Sequence, residues 1–426
     1  MTNGTVEETI FTWGAPPLKF GAGALDEIGF DVSQYGAKRV LVLSDERLTA
    51  LGLPQRVVEA LARYDISAEV YGEVGVEPTD ASIARAVEFA REGGPWDGYV
   101  AVGGGSVIDT AKAVNLLLTD GGELSDYLNA PIGDARPPSG ALAPLFAVPT
   151  TAGTGSESTG VCILDVLSMK VKTGISHWRL KPTMAIVDPA LTMTLPAEVT
   201  ASAGMDIVCH ALESYTAKWY ADHERKRAEE RVTYCGSNPV SDLWAEKSLS
   251  LLATSFRQAV HHGDDEQARS QMMMAATFAG MGFGNAGVHI PHANGYPIAG
   301  NVREYRPENY PQGKAMVPHG ESVSLTAPEA FRFTFDACPE RHLRAASLLD
   351  PEAPEVDQRE QLPSVLVRLM RDIGIPNGIE AVGFTEADID TLVAGTLKQQ
   401  RLLTTCAKTP TEDDLKAIFR GSMTNW

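Results

Sequence analysis

Positive charge is scarce in this sequence. Lys and Arg together number 36 against 55 Asp and Glu, a formal net charge of −19. Nucleic-acid affinity comes mainly from cationic side chains neutralising phosphates, so this balance argues against a nucleic-acid partner. It disfavours an anionic membrane surface for the same reason. Cysteine is scarce too: Cys162, Cys209, Cys235, Cys338 and Cys406 are scattered, with no C-x-x-C pair among them. Such a set builds neither a disulfide framework nor a zinc ribbon, and reads as reduced thiols. No apolar run approaches the roughly 18 residues of a membrane span. Residues 1–12 hold no Lys or Arg, unlike the basic start of a secretory signal or an Arg-rich transit peptide. The expectation from these absences is a cytoplasmic protein with small-molecule partners.

What is present is ample core material. The chain has 426 residues, 44% of them hydrophobic, enough for two or three domains. In the first half, short apolar runs alternate with helical patterns. Arg39 to Ser44, Ala68 to Tyr71 and Gly98 to Val102 read as strands, and Leu53 to Arg63 and Ala81 to Glu92 as helices. Further strands are expected at Leu145 to Val148, Val161 to Leu164 and Ala185 to Val187. This alternation implies a parallel sheet covered on both faces. After Pro196 the pattern turns helical: Ala197 to Ala217, Pro239 to His261, Gln267 to Gly282 and Leu362 to Ile373. Gly295 to Pro318 reads as an ordered loop, and Ala221 to Arg231 as a solvated charged helix or insertion. The expected architecture is α/β plus all-α, with an N-terminal parallel-sheet dinucleotide-binding domain over 1–195 and a helical metal-binding domain over 196–426.

Two stretches of the first half suit phosphate. In the run from Val102 to Lys112, Gly103, Gly104 and Gly105 let backbone approach a ligand, and Ser106 opens a helix whose amides favour an anion. The run is not G-x-G-x-x-G, and the lesser alternative for these glycines is a tight strand–helix turn. Pro149 to Glu157 follows a strand and joins the hydroxyls of Thr150 and Thr151 to flexible backbone. Asp45, at the end of the first strong strand, is placed to accept from ribose hydroxyls, or simply forms a turn. A carboxylate there would repel a 2′-phosphate, which favours NAD over NADP.

The second half carries metal chemistry. Asp206 and His210 stand at i and i+4 on one predicted helix face, so both can reach one ion. His289, His292 and His319 follow near Gly-rich segments, in a chain with only nine His. One carboxylate with three imidazoles suits Fe2+ or Zn2+ with a position left for substrate, whereas capping histidines would need no metal.

Together, GGGSVIDTAK, PTTAGTGSE, GMDIVCHALES and PHGESV resemble the iron-containing (group III) alcohol dehydrogenase family. The resemblance implies a dinucleotide domain facing a helical metal domain. It implies Asp206, His210, His292 and His319 as metal ligands, an ungapped match of NAGVHIPH placing the third ligand at His292 rather than His289. It implies Asp45, Gly103, Gly104, Gly105, Ser106, Asp109, Thr150 and Thr151 as the nucleotide set, with Lys172 approaching the nicotinamide ribose. Many family members carry a relay histidine four residues after the third ligand; here that position is Tyr296, whose phenol, at an unperturbed pKa near ~10, is a weak base at neutral pH.

Within the family, Phe283 to His289, Tyr296 to Gly300, Gly236 to Trp244 and Pro339 to Leu343 are similar to the hydroxyacid–oxoacid transhydrogenase branch. That branch holds NAD tightly and shuttles hydride between a 4-hydroxy acid such as 4-hydroxybutyrate and a 2-oxo acid such as 2-oxoglutarate. The alternatives are a conventional NAD-dependent alcohol dehydrogenase and a lyase resembling 3-dehydroquinate synthase. The resemblance also implies a homo-oligomer. Acid substrates call for a cation in the pocket; Arg303, between the third and fourth ligands, is the candidate, with an ordinary surface Arg as the commoner explanation.

Overall fold

Alternating side chains on six short strands build the sheet of one of two units. The computed structural model describes residues 6–169, 171–313 and 315–426; residues 1–5 of the chain's opening, Lys170 and Lys314 lie outside the described residues. One unit is Ala15–Met193. Its sheet has the strands β1 (Leu18–Phe20), β2 (Arg39–Leu43), β3 (Ser67–Tyr71), β4 (Gly98–Gly103), β5 (Leu145–Pro149) and, after a separate hairpin of β6 (Val161–Val166) and β7 (Val171–Ser176), β8 (Met184–Val187). The sheet order is β1-β8-β5-β4-β2-β3, and every pairing in it is parallel.

Residues of alternate parity face opposite sides, as a pleated strand requires. Val40, Val42, Val100, Val102, Phe146 and Val148 join one core with α1 (Leu53–Ala62). Leu41, Leu43, Tyr99, Ala101, Leu145 and Ala147 join the other with α2 (Asp80–Gly93) and α3 (Gly105–Thr119). Burial on both faces is why these strands read as unbroken apolar runs. The strand order reverses between β2 and β4, and a crevice at the carboxyl ends of such a switch point is where open α/β sheets bind ligands.

One expectation is corrected here, and one strand is added. Val161 to Leu164 does form a strand, but it pairs antiparallel with β7 instead of entering the main sheet. The three-residue β1, too short to leave a pattern, supplies the sheet's edge beside β8.

The second unit takes in Thr194–Trp426 together with residues 6–14, so the α/β unit begins at Ala15 and not at the chain's start. Glu8 fixes that segment: its backbone N–H donates to His223 O, and its carboxylate accepts from Arg231 at 2.9 and 3.1 Å. Arg231 closes the charged run 221–231, which is a loop with short 3-10 turns. The helices that matter for function are α4 (Ala197–Thr216), α5 (Pro239–His261), α6 (Glu266–Ala286), α7 (Ile290–Asn301) and α8 (His319–Ser324). The loop expected from Gly295 is corrected: α7 runs through Pro297 to Asn301. Every residue of it from Ile290 to Ile298 is buried, so no polar face marks a period. No helix of the described residues is long and apolar enough to cross a membrane.

Candidate metal and nucleotide sites

The metal candidates sit on three helices of the second unit. On α4, Asp206, His210 and Glu213 fall at i, i+4 and i+7, a single stripe. Gly320 lets α8 approach: a Cβ there would lie 1.8 Å from Ser202 O and 3.1 Å from Asp206 Cβ. That close crossing brings His319, the first residue of α8, toward Asp206.

Around Asp206 Oδ1 the imidazole Nε2 atoms of His292, His210 and His319 lie at 3.5, 3.6 and 3.7 Å. A tetrahedral ion with ligand bonds near 2.1 Å has ligand–ligand edges of about 3.4 Å, so these spacings match a cage around a cation. Asp206, His292 and His319 also lie within 4.8 Å of one another through one ligand atom each, whereas His210 is tied to the group through Asp206. Asp206 Oδ1 and His292 Nε2 are buried without a hydrogen-bond partner. Orphaned buried polar atoms are costly unless something satisfies them, and a divalent cation would satisfy both. The donors are one oxygen and three nitrogens with no thiolate, a set that fits Fe2+ or Zn2+.

The electrostatics agree at Asp206 and His210, while at His292 the two surrounding carboxylates favour a proton that a cation would have to displace. Burial alone would raise the Asp206 carboxyl, but His210, His319 and His292 around it hold it well below the ordinary range. Burial pushes His210 down to about 3, so its ring is neutral and presents a lone pair. His292 is opposed by burial yet raised to about 9 by Glu213 and Asp206. His210 is stacked on Phe283, rings 3.8 Å apart and 8° from parallel, which fixes its plane.

His289 is kept elsewhere. It is fully buried, its Nε2 is 3.0 Å from Thr216 Oγ1, and its ring meets Phe331 edge-on. Tyr296 lies one turn after His292 on α7, buried, its ring centroid 6.4 Å from that of His319. Arg303 is corrected: it lies at the surface, its guanidinium bound to Asp388 at 2.7 and 3.0 Å and to Gly383 O at 2.7 Å. An Arg committed to a partner 85 residues along the chain is not a pocket cation.

In the α/β unit the nucleotide candidates gather at the strand ends. Gly103 pairs with Pro149 across β4 and β5, so the turn at Gly104–Gly105–Ser106 and the loop from Thr150 emerge side by side. A Cβ on Gly105 would lie 2.6 Å from Thr154 Oγ1, so the two loops are in contact. Asp45 caps a short helix, one oxygen accepting from Leu48 N at 2.8 Å. Ser106 Oγ accepts from Glu77 N at 3.2 Å. Lys172, on β7, is ion-paired to Glu77 and lies 3.6 Å from Asp165.

Asp109 is not free to bind a cofactor. Its Oδ1 accepts from Ser156 Oγ at 2.5 Å and its Oδ2 from Ile163 N at 2.8 Å. Beside it Lys112, fully buried, donates to Ser156 O, Ser156 Oγ and Val161 O, each at 2.7 Å. Burial pushes this ammonium down, opposed first by Asp109. Asp109 and Lys112 therefore fasten the second loop to α3 from beneath. Lys112 carries no phosphate-binding signal, but a Lys in an otherwise apolar helical stretch was the available sign of a buried cation.

Residues 16–189 match the iron-containing alcohol dehydrogenase family, and residues 227–423 match that family's C-terminal region. The chain belongs to the iron-containing alcohol dehydrogenase family. Membership makes it an oxidoreductase with a metal ion and a nicotinamide cofactor, and sets aside the lyase alternative. Mitochondrial hydroxyacid–oxoacid transhydrogenases are similar over nearly the whole chain. The Mus musculus protein is 44% identical over 99% of this chain and 92% of its own length. The Dictyostelium discoideum protein, a probable transhydrogenase, is 41% identical over 99% of this chain and 81% of its own. Among solved structures, a 1,3-propanediol oxidoreductase is 29% identical with a TM-score of 0.84, covering 97% of this chain and 100% of that one. A sulfoacetaldehyde reductase from Bifidobacterium kashiwanohense in complex with NAD+ is 26% identical with a TM-score of 0.78, covering 97% and 98%. The mitochondrial relatives overturn the cytoplasmic expectation. Reduced, scattered cysteines describe a redox environment and do not name a compartment.

Proposed function

We propose that this chain is a hydroxyacid–oxoacid transhydrogenase, in which one tightly held NAD carries hydride from a hydroxy acid to an oxo acid. The observation that carries this reading is the 44% identity to a transhydrogenase over 99% of the chain. Asp206, His210, His292 and His319 hold the metal, Fe2+ or Zn2+. The Gly103–Gly104–Gly105–Ser106 turn with Thr150 and Thr151 would hold the pyrophosphate, and Asp45 with Lys172 would serve the riboses. The carboxylate of Asp45 selects NAD over NADP by repelling a 2′-phosphate.

When bound, the divalent ion supplies a Lewis acid that lowers the cost of ionising the substrate hydroxyl. Residues of the chain do the rest. His210, pinned against Phe283, keeps a fixed orientation within the ligand set. The Tyr296 phenol oxygen relays the hydroxyl proton in the position where relatives use histidine. A nicotinamide held at the glycine turn would supply the hydride acceptor for the hydroxy acid, which would also give up its hydroxyl proton, and the hydride donor for the oxo acid, which would take up a proton. The same proposal includes assembly as a homo-oligomer.

Desalted, metal-replete protein is mixed with 4-hydroxybutyrate and 2-oxoglutarate without added NAD. The account predicts succinic semialdehyde and 2-hydroxyglutarate in equal amounts over many turnovers. Turnover only after NAD is supplied would make it a conventional dehydrogenase. No product from these acids, with metal and NAD both present, would refute the substrate assignment.

A further inference from the structure

Glu213 is a fully buried carboxylate for which the proposed reaction has no direct use. Its two oxygens make different bonds. Oε1 accepts the backbone N–H of His289 at 2.7 Å and of His292 at 3.2 Å. These are the N-cap and third positions of α7, whose second position is Pro291 and has no N–H to satisfy. Oε2 faces the His292 ring and accepts from Nδ1 at 2.5 Å. With Nδ1 carrying its proton toward Glu213, the other ring nitrogen, Nε2, is the one aimed at Asp206 Oδ1, 3.5 Å away.

We propose that Glu213 is a positioning residue for the metal: it caps α7 with one oxygen and, with the other, sets the His292 tautomer that makes Nε2 a ligand. The inference rests on the reading of Asp206, His210, His292 and His319 as a metal site. A carboxylate behind a ligating imidazole fixes the ring and raises its basicity, and losing one costs about 10- to 100-fold in metal affinity. Here the division of labour makes a sharper demand. In Glu213→Gln the two backbone donors still require an acceptor, so the amide oxygen takes the Oε1 place and the amide NH2 faces Nδ1. That NH2 donates, so Nδ1 must accept and the ring proton moves to Nε2. An isosteric, uncharged replacement therefore blocks the ligand lone pair while leaving the helix cap in place.

The test is zinc affinity, measured by competition with a chromophoric chelator on purified protein, for wild type, E213Q, H292A and E213Q/H292A. The expected result is a loss of about 10- to 100-fold in E213Q, with the double variant no weaker than H292A alone. Thermal melting of the metal-free proteins reads the helix cap separately. Unchanged affinity in E213Q, or losses that multiply in the double variant, would overturn the role of Glu213 while leaving the metal site intact. Unchanged affinity in H292A would remove the metal-site reading itself. Wild-type zinc protein labelled with nitrogen-15 histidine gives a check that needs no Glu213 variant. The His292 resonance, identified by its loss in H292A, must show the proton on Nδ1 and the metal on Nε2; the reverse assignment overturns the proposal.

Discussion

Beneath the loops of the α/β unit, Lys112, Asp109 and Ser156 are committed to one another; in the cage of the helical unit, Asp206 Oδ1 and His292 Nε2 are buried without a hydrogen-bond partner. Hydrogen bonds among Lys112, Asp109 and Ser156 tie the far end of the loop from Thr150 to α3. Asp206 Oδ1 and His292 Nε2 have no such partners. The difference follows from what each site presents. A phosphate is bound by backbone amides and hydroxyls, so the side chains below can be used for support. A cation is bound by side-chain lone pairs, which are useful only if nothing in the protein has already taken them. Closure marks a scaffold, and a matched set of orphans marks a site.

That contrast breaks most severely at the cage. Asp206→Asn is expected to lose metal and abolish activity while NAD content after desalting stays at the wild-type level, checked by elemental analysis and by NAD released on denaturation. Lys112→Met attacks the other side. It leaves Asp109 buried without its cation, a change that typically costs about 3–5 kcal/mol, so urea should unfold the α/β unit earlier while metal content holds. Gly105→Ala forces a Cβ to 2.6 Å from Thr154 Oγ1. Overpacking of this kind costs about 1–3 kcal/mol, and the expected readout is NAD lost on desalting.

Smaller effects belong to ion pairs away from both sites. Glu8 is held down to about 2, first by the hydrogen bond from Arg231 and then by Lys226 N–H. A depressed carboxylate contributes stability above its ordinary value of 4.5 and loses it as pH falls through about 2. Protease cleavage near residues 6–14 should therefore increase on acidification, and Glu8→Gln should abolish that dependence. Arg303→Ala should alter neither KM for acids nor the melting temperature measurably, because an exposed ion pair contributes little. A KM rise confined to acids would return Arg303 to the pocket.

How much of this was legible depends on the range of the signal. Asp206 and His210 announce themselves because four residues make one helical turn, and β2, β4 and β5 because double burial leaves unbroken apolar runs. Glu213 was equally readable at i+7 on the same stripe, but nothing local says that its partner is His292, 79 residues away. The full burial of α7 erased its period, and Pro297 and the glycines then suggested a loop. Asp109 looked like a cofactor residue because it sits in the glycine-rich motif, yet its bonds to Ser156 and Ile163 appear only when β6 is in place. Arg303 failed for the same reason: Asp388 is distant in sequence and adjacent in space.

The most direct test of the account is to strip the metal with a chelator, confirm that NAD remains bound, and follow hydride exchange between 4-hydroxybutyrate and 2-oxoglutarate before and after Fe2+ or Zn2+ is returned. The account predicts that exchange disappears with the metal, returns with either or both ions, and never returns in Asp206→Asn. Exchange that continues undiminished in the stripped protein would contradict it.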